Sequence, residues 1–186
     1  MPVIFMACEM ALAVARGKSM GLEGGMQDLD LTPRLVETLD RAARAGRGLA
    51  EPWWIFGSAA MALAGVRGLD PPDVDVISTP EGAAALLERL GGERVAGASD
   101  RFRSVVFGKC LEGPLPVEVM GGFEVATAEG WAPVILRTRR RIAWPAGDLW
   151  IAEAAEQAAV CRLFGRPKDL ARAAALDDLD EKRPSA

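Results

Sequence analysis

Along this chain the spacing of apolar positions switches between helical and strand-like periods, and each switch is marked by Gly, Pro or a capping residue. Thr32-Pro33 predicts a helix start, with Leu35, Leu39 and Ala42/Ala43 on one face until Gly46 stops it. Trp53-Trp54-Ile55-Phe56 predicts a short buried strand, and Gly57-Ser58 turns it into a helix over Ala59 to Val66. Arg67 to Pro72 is a loop closed by two prolines. Asp73 to Ile77 alternates as a strand does. Ser78-Thr79-Pro80-Glu81 then opens a helix that ends at Gly91-Gly92. Phe102 to Lys109 and Leu115 to Met120 predict two strands joined across Glu112-Gly113-Pro114. Pro133 to Trp144 predicts a further strand or two. Asp148 is expected to cap a long helix with Ile151, Ala155, Ala159 and Leu163 as its apolar stripe. Gly165 and Pro167 break that helix, and a last one runs from Lys168 into a charged tail expected to fray.

This order predicts an α/β (α+β) fold, a small mixed β-sheet flanked by helices with a C-terminal helical segment. The expected organisation is an N-terminal extension over 1–30, floppy or weakly helical, an α/β core over 31–147, and a helical segment and tail over 148–186. The apolar run from Val3 to Ala15 is interrupted by Glu9 and is too short for a membrane span. Its positive charges, Arg16 and Lys18, follow it, the reverse of a secretory signal. Met20 or Met26 is an alternative start.

With 186 residues, half of them hydrophobic, the chain has material for one real core, and its net charge of −4 advertises neither a nucleic-acid nor a membrane surface. The absent residues exclude more. No histidine is present, which removes Ser-His-Asp and Cys-His catalysis and His-ligated zinc. Cys8, Cys110 and Cys161 are odd in number and far apart, so neither a disulfide framework nor a zinc knuckle is implied, and a cytoplasmic location is expected. Acid–base or metal chemistry must fall to carboxylates, Lys or Ser. Gly17-Lys18-Ser19 resembles the end of a phosphate loop, but the earlier glycine it requires is Leu12.

The chemistry centres on Asp73-Val74-Asp75-Val76. In a strand Asp73 and Asp75 share one face, about 7 Å apart, and repel unless water, a base or a cation lies between them. An isolated Asp-x-Asp also suits a solvated strand face. Glu118 adds a third acid, because Val117 and Val119 would face the core and leave Glu118 opposite. If its strand lies beside that of Asp73 and Asp75, three carboxylates converge and can hold Mg2+ or Mn2+. Gly57 allows close backbone approach, and Ser58 with the first helical amides can hold a phosphate; an ordinary strand-to-helix turn is the competing reading.

Gly57-Ser58, Leu63-x-Gly65-Val66, Asp73-x-Asp75 and a later acid within a strand together resemble the nucleotidyltransferase superfamily, polymerase-β-like and of the minimal type. Trp53 to Ser58, Val117 to Gly121 and Trp131 to Val134 are similar to stretches shared by its small bacterial and archaeal members. The resemblance covers roughly Leu31 to Asp169. It implies that Asp73 and Asp75 bind metal, that Glu118 is the third acid and base for the incoming hydroxyl, and that Gly57 and Ser58 contact nucleotide phosphates. The chain departs from the pattern at Phe56, where a second glycine is common, and after Arg67, where Gly68 stands in place of threonine.

Arg67, Arg103 and Lys109 are further candidates for neutralising phosphate oxygens, as is Arg101. Arg137, Arg139 and Arg141 would share one strand face, suited to a nucleotide or RNA, or to a charged edge. Trp131, Trp144 and Trp150 read as packing residues. The expected activity is Mg2+-dependent transfer of a nucleoside monophosphate from an NTP to a hydroxyl-type acceptor (small molecule, RNA or protein). The alternatives are a catalytically silent nucleotide-binding or toxin–antitoxin-type module that docks a protein partner or a second copy through its C-terminal helices, and a phosphohydrolase using the same acids.

Overall fold

The computed structural model describes residues 29–181, so the expectations for the N-terminal extension, the alternative starts and the end of the tail lie outside the described residues. Helix α1 (Pro33–Gly46) begins where Thr32 accepts a hydrogen bond from the Leu35 amide at 3.3 Å, and it buries Leu35, Leu39, Ala42 and Ala43. Its last residue must be glycine, because a Cβ on Gly46 would sit 2.1 Å from the Trp53 ring. Strand β1 (Trp53–Phe56) runs directly into helix α2 (Gly57–Ala64), whose residues from Ser58 to Ala64 are all buried, as expected of a helix apolar on every side. Strand β2 (Val74–Ser78) leads to α3 (Pro80–Leu90), capped by Thr79 and ended by Gly91 in the left-handed region. Strands β3 (Glu93–Arg94), β4 (Phe102–Cys110), β5 (Val117–Thr127) and β6 (Gly130–Pro133) follow.

The main sheet has the order β1-β2-β5-β4-β3, with β6 pairing the far half of β5. Among the described residues only β2 and β5 run parallel in this sheet; every other pair is antiparallel. The sheet is therefore mixed, as the sequence predicts. One core cluster joins α1, α2 and α3 to Ile55, Val74, Val76, Val117 and Val119, each essentially inaccessible. Such side chains stabilise by about 1.5–3 kcal/mol each on burial. A second cluster holds Phe56, Ile77, Met120, Phe123 and Val125 under Val160 and Phe164. Strand β5 does not end at Met120. It continues through Gly121-Gly122, where Gly122 has φ +61°, and beyond that point Phe123 and Val125 join the cluster of Met120 instead of that of Val119.

The C-terminal third departs from expectation. Within Pro133 to Trp144 the expected further strand is short: β6 ends at Pro133, and β7 (Arg140–Ile142) pairs antiparallel with β8 (Leu149–Ile151) in a separate two-stranded sheet. Arg137 and Arg139 lie in the irregular segment between them, so the three arginines do not line one strand. The Arg137 and Thr138 amides donate to Glu156, and the Arg139 guanidinium stacks 3.9 Å from the Trp150 ring centre. Asp148 caps no helix; it pairs with Arg141 at 2.7 Å. Leu149-Trp150-Ile151 satisfies its backbone by pairing with β7, which delays helix α4 (Ala154–Phe164) to an N-cap at Glu153. The buried side of α4 is consequently Ala154, Gln157, Ala158, Val160 and Phe164, whereas Ala155, Ala159 and Leu163 are exposed. Helix α5 (Pro167–Glu181) folds back on α4, and Ala173 and Leu176 join Ala154, Ala158 and Met61 in a third cluster. Trp144 is buried as predicted, but Trp131 is 37% exposed. Among the described residues no helix is long and apolar enough to cross a membrane.

Candidate active site

The parallel pairing of β2 and β5 places Asp75 directly beside Glu118, and the antiparallel pairing of β1 places Phe56 on the other side of Asp75. Adjacent strands lie about 4.8 Å apart, so Asp75 and Glu118 are nearest neighbours on one sheet face. Asp73, just before β2, shares that face by alternation. The first residue of α2 follows Phe56, so Gly57 arrives over the same acids. It holds φ +64°, and a Cβ there would stand 2.6 Å from Asp75 Oδ2. Glycine is required on both counts.

Asp73, Asp75, Glu118, Gly57, Ser58 and Arg103 line one cavity of about 430 Å3. Lys109 does not line it but reaches it through Glu118, its Nζ 2.6 Å from Glu118 Oε1. Arg67 sits on the exposed loop before β2 and is not part of the cavity wall. Arg103 pairs with Glu124 at 2.5 Å and lies 4.4 Å from the Trp131 ring centre.

Part of the lining belongs to residues that the sequence reading did not single out. Phe164 meets Phe56, Phe102 and Phe123 edge-on, with ring centres 5.0–6.0 Å apart, and these rings form the apolar side. Beyond the turn at Gly165, Arg166, Lys168 and Arg172 complete the wall. Arg166 donates two hydrogen bonds, of 2.5 and 3.0 Å, to Asp169, whose side chain is 1% exposed. The available signal was the spacing of Lys168 and Arg172, four residues apart and therefore on one helix face.

Both aspartates are pushed up. Burial, then the charges of Asp73 and Glu118, push the Asp75 carboxyl up to about 7, while Arg172 and Lys109 act against this. Asp73 is raised too, by burial and then by Glu118, with Arg172, Lys109 and Lys168 opposing. A divalent cation is the group this arrangement fits in kind. All the donors are hard carboxylate oxygens, the two aspartates are held against their own repulsion, and the missing Cβ of Gly57 leaves room at Asp75. Among the described residues no three such side chains already form an assembled cage, and Glu118 is engaged by Lys109. Asp73 and Asp75 are therefore the carboxylates that could hold one.

The fold is that of the nucleotidyltransferases. Among solved structures, a candidate nucleotidyltransferase from Thermotoga maritima superposes with a TM-score of 0.57 at 17% identity, over 78% of this chain and 92% of its own. ANT(2'')-Ia in complex with adenylyl-2''-tobramycin gives 0.50 at 12% identity, over 81% and 94%. An antigenic nucleotidyltransferase-like protein from Paracoccidioides brasiliensis gives 0.50 at 14%, over 82% and 78%. No protein-family model matches the sequence, and no curated protein matches it.

Proposed function

We propose that the protein is a Mg2+-dependent nucleotidyltransferase that moves a nucleoside monophosphate from an NTP to a hydroxyl-type acceptor. The observation that carries this reading is the placement of Asp75 beside Glu118 on paired strands, under the glycine that opens α2. In this reading Asp73 and Asp75 hold the cation, with Glu118 as third acid. When bound, the cation neutralises phosphate charge and favours departure of pyrophosphate. Gly57 and the first amides of α2, with Ser58, receive phosphate oxygens at the positive end of the helix. Glu118 takes the proton of the acceptor hydroxyl as its oxygen attacks the α-phosphorus; the bond from that phosphorus to the β-phosphate oxygen breaks, and pyrophosphate leaves with the electron pair. Mn2+ would serve as Mg2+ does. The neighbour ANT(2'')-Ia, seen with adenylyl-2''-tobramycin, supports a nucleotidylated small molecule as the kind of product this fold accommodates.

One observation favours a second reading. The Lys109–Glu118 ion pair occupies the third acid, as would suit a module that binds nucleotide without turning it over. Calorimetric titration of ATP, GTP, CTP and UTP, with and without magnesium, tests both. Magnesium-dependent binding abolished by Asp75→Asn supports the site, and pyrophosphate release with an acceptor then separates transferase from binding module. Binding that ignores both magnesium and Asp75 would refute the cation site.

A further inference from the structure

We propose that Lys168 and Arg172 of α5 are the polyphosphate-binding side chains of this site, so that the C-terminal helix is a wall of the nucleotide pocket. The inference rests on the nucleotide-binding reading above and adds to it residues from outside the strand–helix motif.

Of the cationic side chains at the cavity, most are already committed. Arg103 is tied to Glu124 and covered by Trp131, Lys109 is tied to Glu118, and Arg166 gives two hydrogen bonds to the buried Asp169. Lys168 makes no hydrogen bond or ion pair among the described residues, and the nearest carboxylate oxygen to Arg172 is that of Asp169 at 3.9 Å, beyond hydrogen-bond reach. Both line the cavity, one helical turn apart. Both also act through space on Asp73, and Arg172 acts on Asp75 as well. Both basic residues and the acids therefore line the same cavity, within electrostatic reach of one another.

A cavity lined both by carboxylates and by a free lysine and a loosely paired arginine offers sites for both signs of charge. A polyphosphate carrying a divalent cation presents both signs as well, its metal toward Asp73 and Asp75 and its free oxygens toward Lys168 and Arg172. A polycationic ligand would meet four basic side chains there: Arg103, Arg166, Lys168 and Arg172. The base and sugar are left to the aromatic side formed by Phe102, Phe123 and Phe164.

The test titrates inorganic tripolyphosphate and ATP, each with magnesium, into the full chain, Lys168→Gln, Arg172→Gln, the double variant and Asp75→Asn. Thermal melting confirms that each variant is folded; Lys168 is exposed, so its replacement leaves the packing alone. Loss of one charge-assisted contact should weaken both ligands by about 10–100-fold, and the double variant by more. If the wild type binds ATP and the basic-residue variants stay within about twofold of it, the assignment is overturned and the nucleotide site stands. If tripolyphosphate binding depends on Lys168 and Arg172 but ATP does not bind, the assignment stands and the nucleotidyltransferase reading fails. Absence of binding by either ligand overturns both.

Discussion

Replacing Asp75 by Asn should make the metal-free protein more stable, and the gain should grow with pH. In the folded chain the Asp75 carboxyl titrates at about 7, against 3.8 in the ordinary case, because it is buried beside Asp73 and Glu118. Its folded value lies above its unfolded one, so the folded state binds the proton more tightly. Below about pH 4 both states are protonated and no penalty exists. As pH rises from about 4 to 7, the unfolded chain gives up the proton and the folded chain keeps it, so stability falls. Above about pH 7 the penalty is complete, and the two values correspond to about 4 kcal/mol. Side-chain relaxation and water entry reduce this in practice; taking about half leaves about 2 kcal/mol, which for a chain of this size raises Tm by about 4–8 °C. Asn keeps the shape and removes the titration.

The assay is thermal melting of wild type and Asp75→Asn with chelator present, at about pH 4.5, 6 and 8. The two melting temperatures should converge at the acid end and separate at the alkaline end, with the variant higher. Added magnesium at about pH 8 should then raise the wild type and leave the variant unmoved, because a ligand stabilises only the state that binds it. Parallel pH profiles for the two proteins, or a variant that melts below wild type at about pH 8, would refute the argument that unrelieved carboxylate repulsion is built into this site.

Gly57→Ala should cost about 1–2 kcal/mol in urea denaturation, from its positive φ alone, and should abolish magnesium-dependent nucleotide binding by displacing Asp75. Phe164→Ala should cost about 3–5 kcal/mol in the same assay, since that ring is 6% exposed and contacts Phe56, Phe102 and Phe123; a loss below about 1 kcal/mol would show that α4 is not anchored there. Asp169→Ala should cost about 3 kcal/mol by stranding Arg166, with Asp169→Asn costing less, and equal effects would argue against the ion pair as the cause.

Apart from the two-residue β3, the elements up to the first half of β5 were legible because local rules agree there. Thr32 and Thr79 cap the helices they announce, and alternation assigns Val74, Val76, Val117 and Val119 to the core. Alternation also placed Asp73, Asp75 and Glu118 on matching faces, but it could not say that β2 and β5 are neighbours. That adjacency is a long-range pairing, parallel and in the register Asp75 to Glu118, which no local period encodes. The reading went astray after Asp148 for a related reason. Leu149-Trp150-Ile151 fits a helix stripe or a short strand equally well, and the partner that decides it, β7, is itself only three residues long. Starting the helix too early turned its stripe toward solvent. The cations of α5 were missed because their relation to the acids depends on where Phe164 packs, among rings supplied by β1, β4 and β5.

The places where local rules are violated lie together. Asp75 stands in an apolar strand, Gly57 takes a left-handed φ at a helix start without a side-chain cap, and Asp169 is buried in the first turn of α5. Two of these three places destabilise the ligand-free fold, Asp75 by burial of its charge and by repulsion, and the start of α2 by the lack of a side-chain cap at Phe56. The third, Asp169, is held in place by Arg166. A chain selected for stability alone would place Asn or Val at 75 and Ser or Asp before α2. That Asp75 and Gly57 line one cavity, and that Asp169 holds Arg166 at its edge, is the strongest structural reason to read that cavity as a site shaped by a ligand.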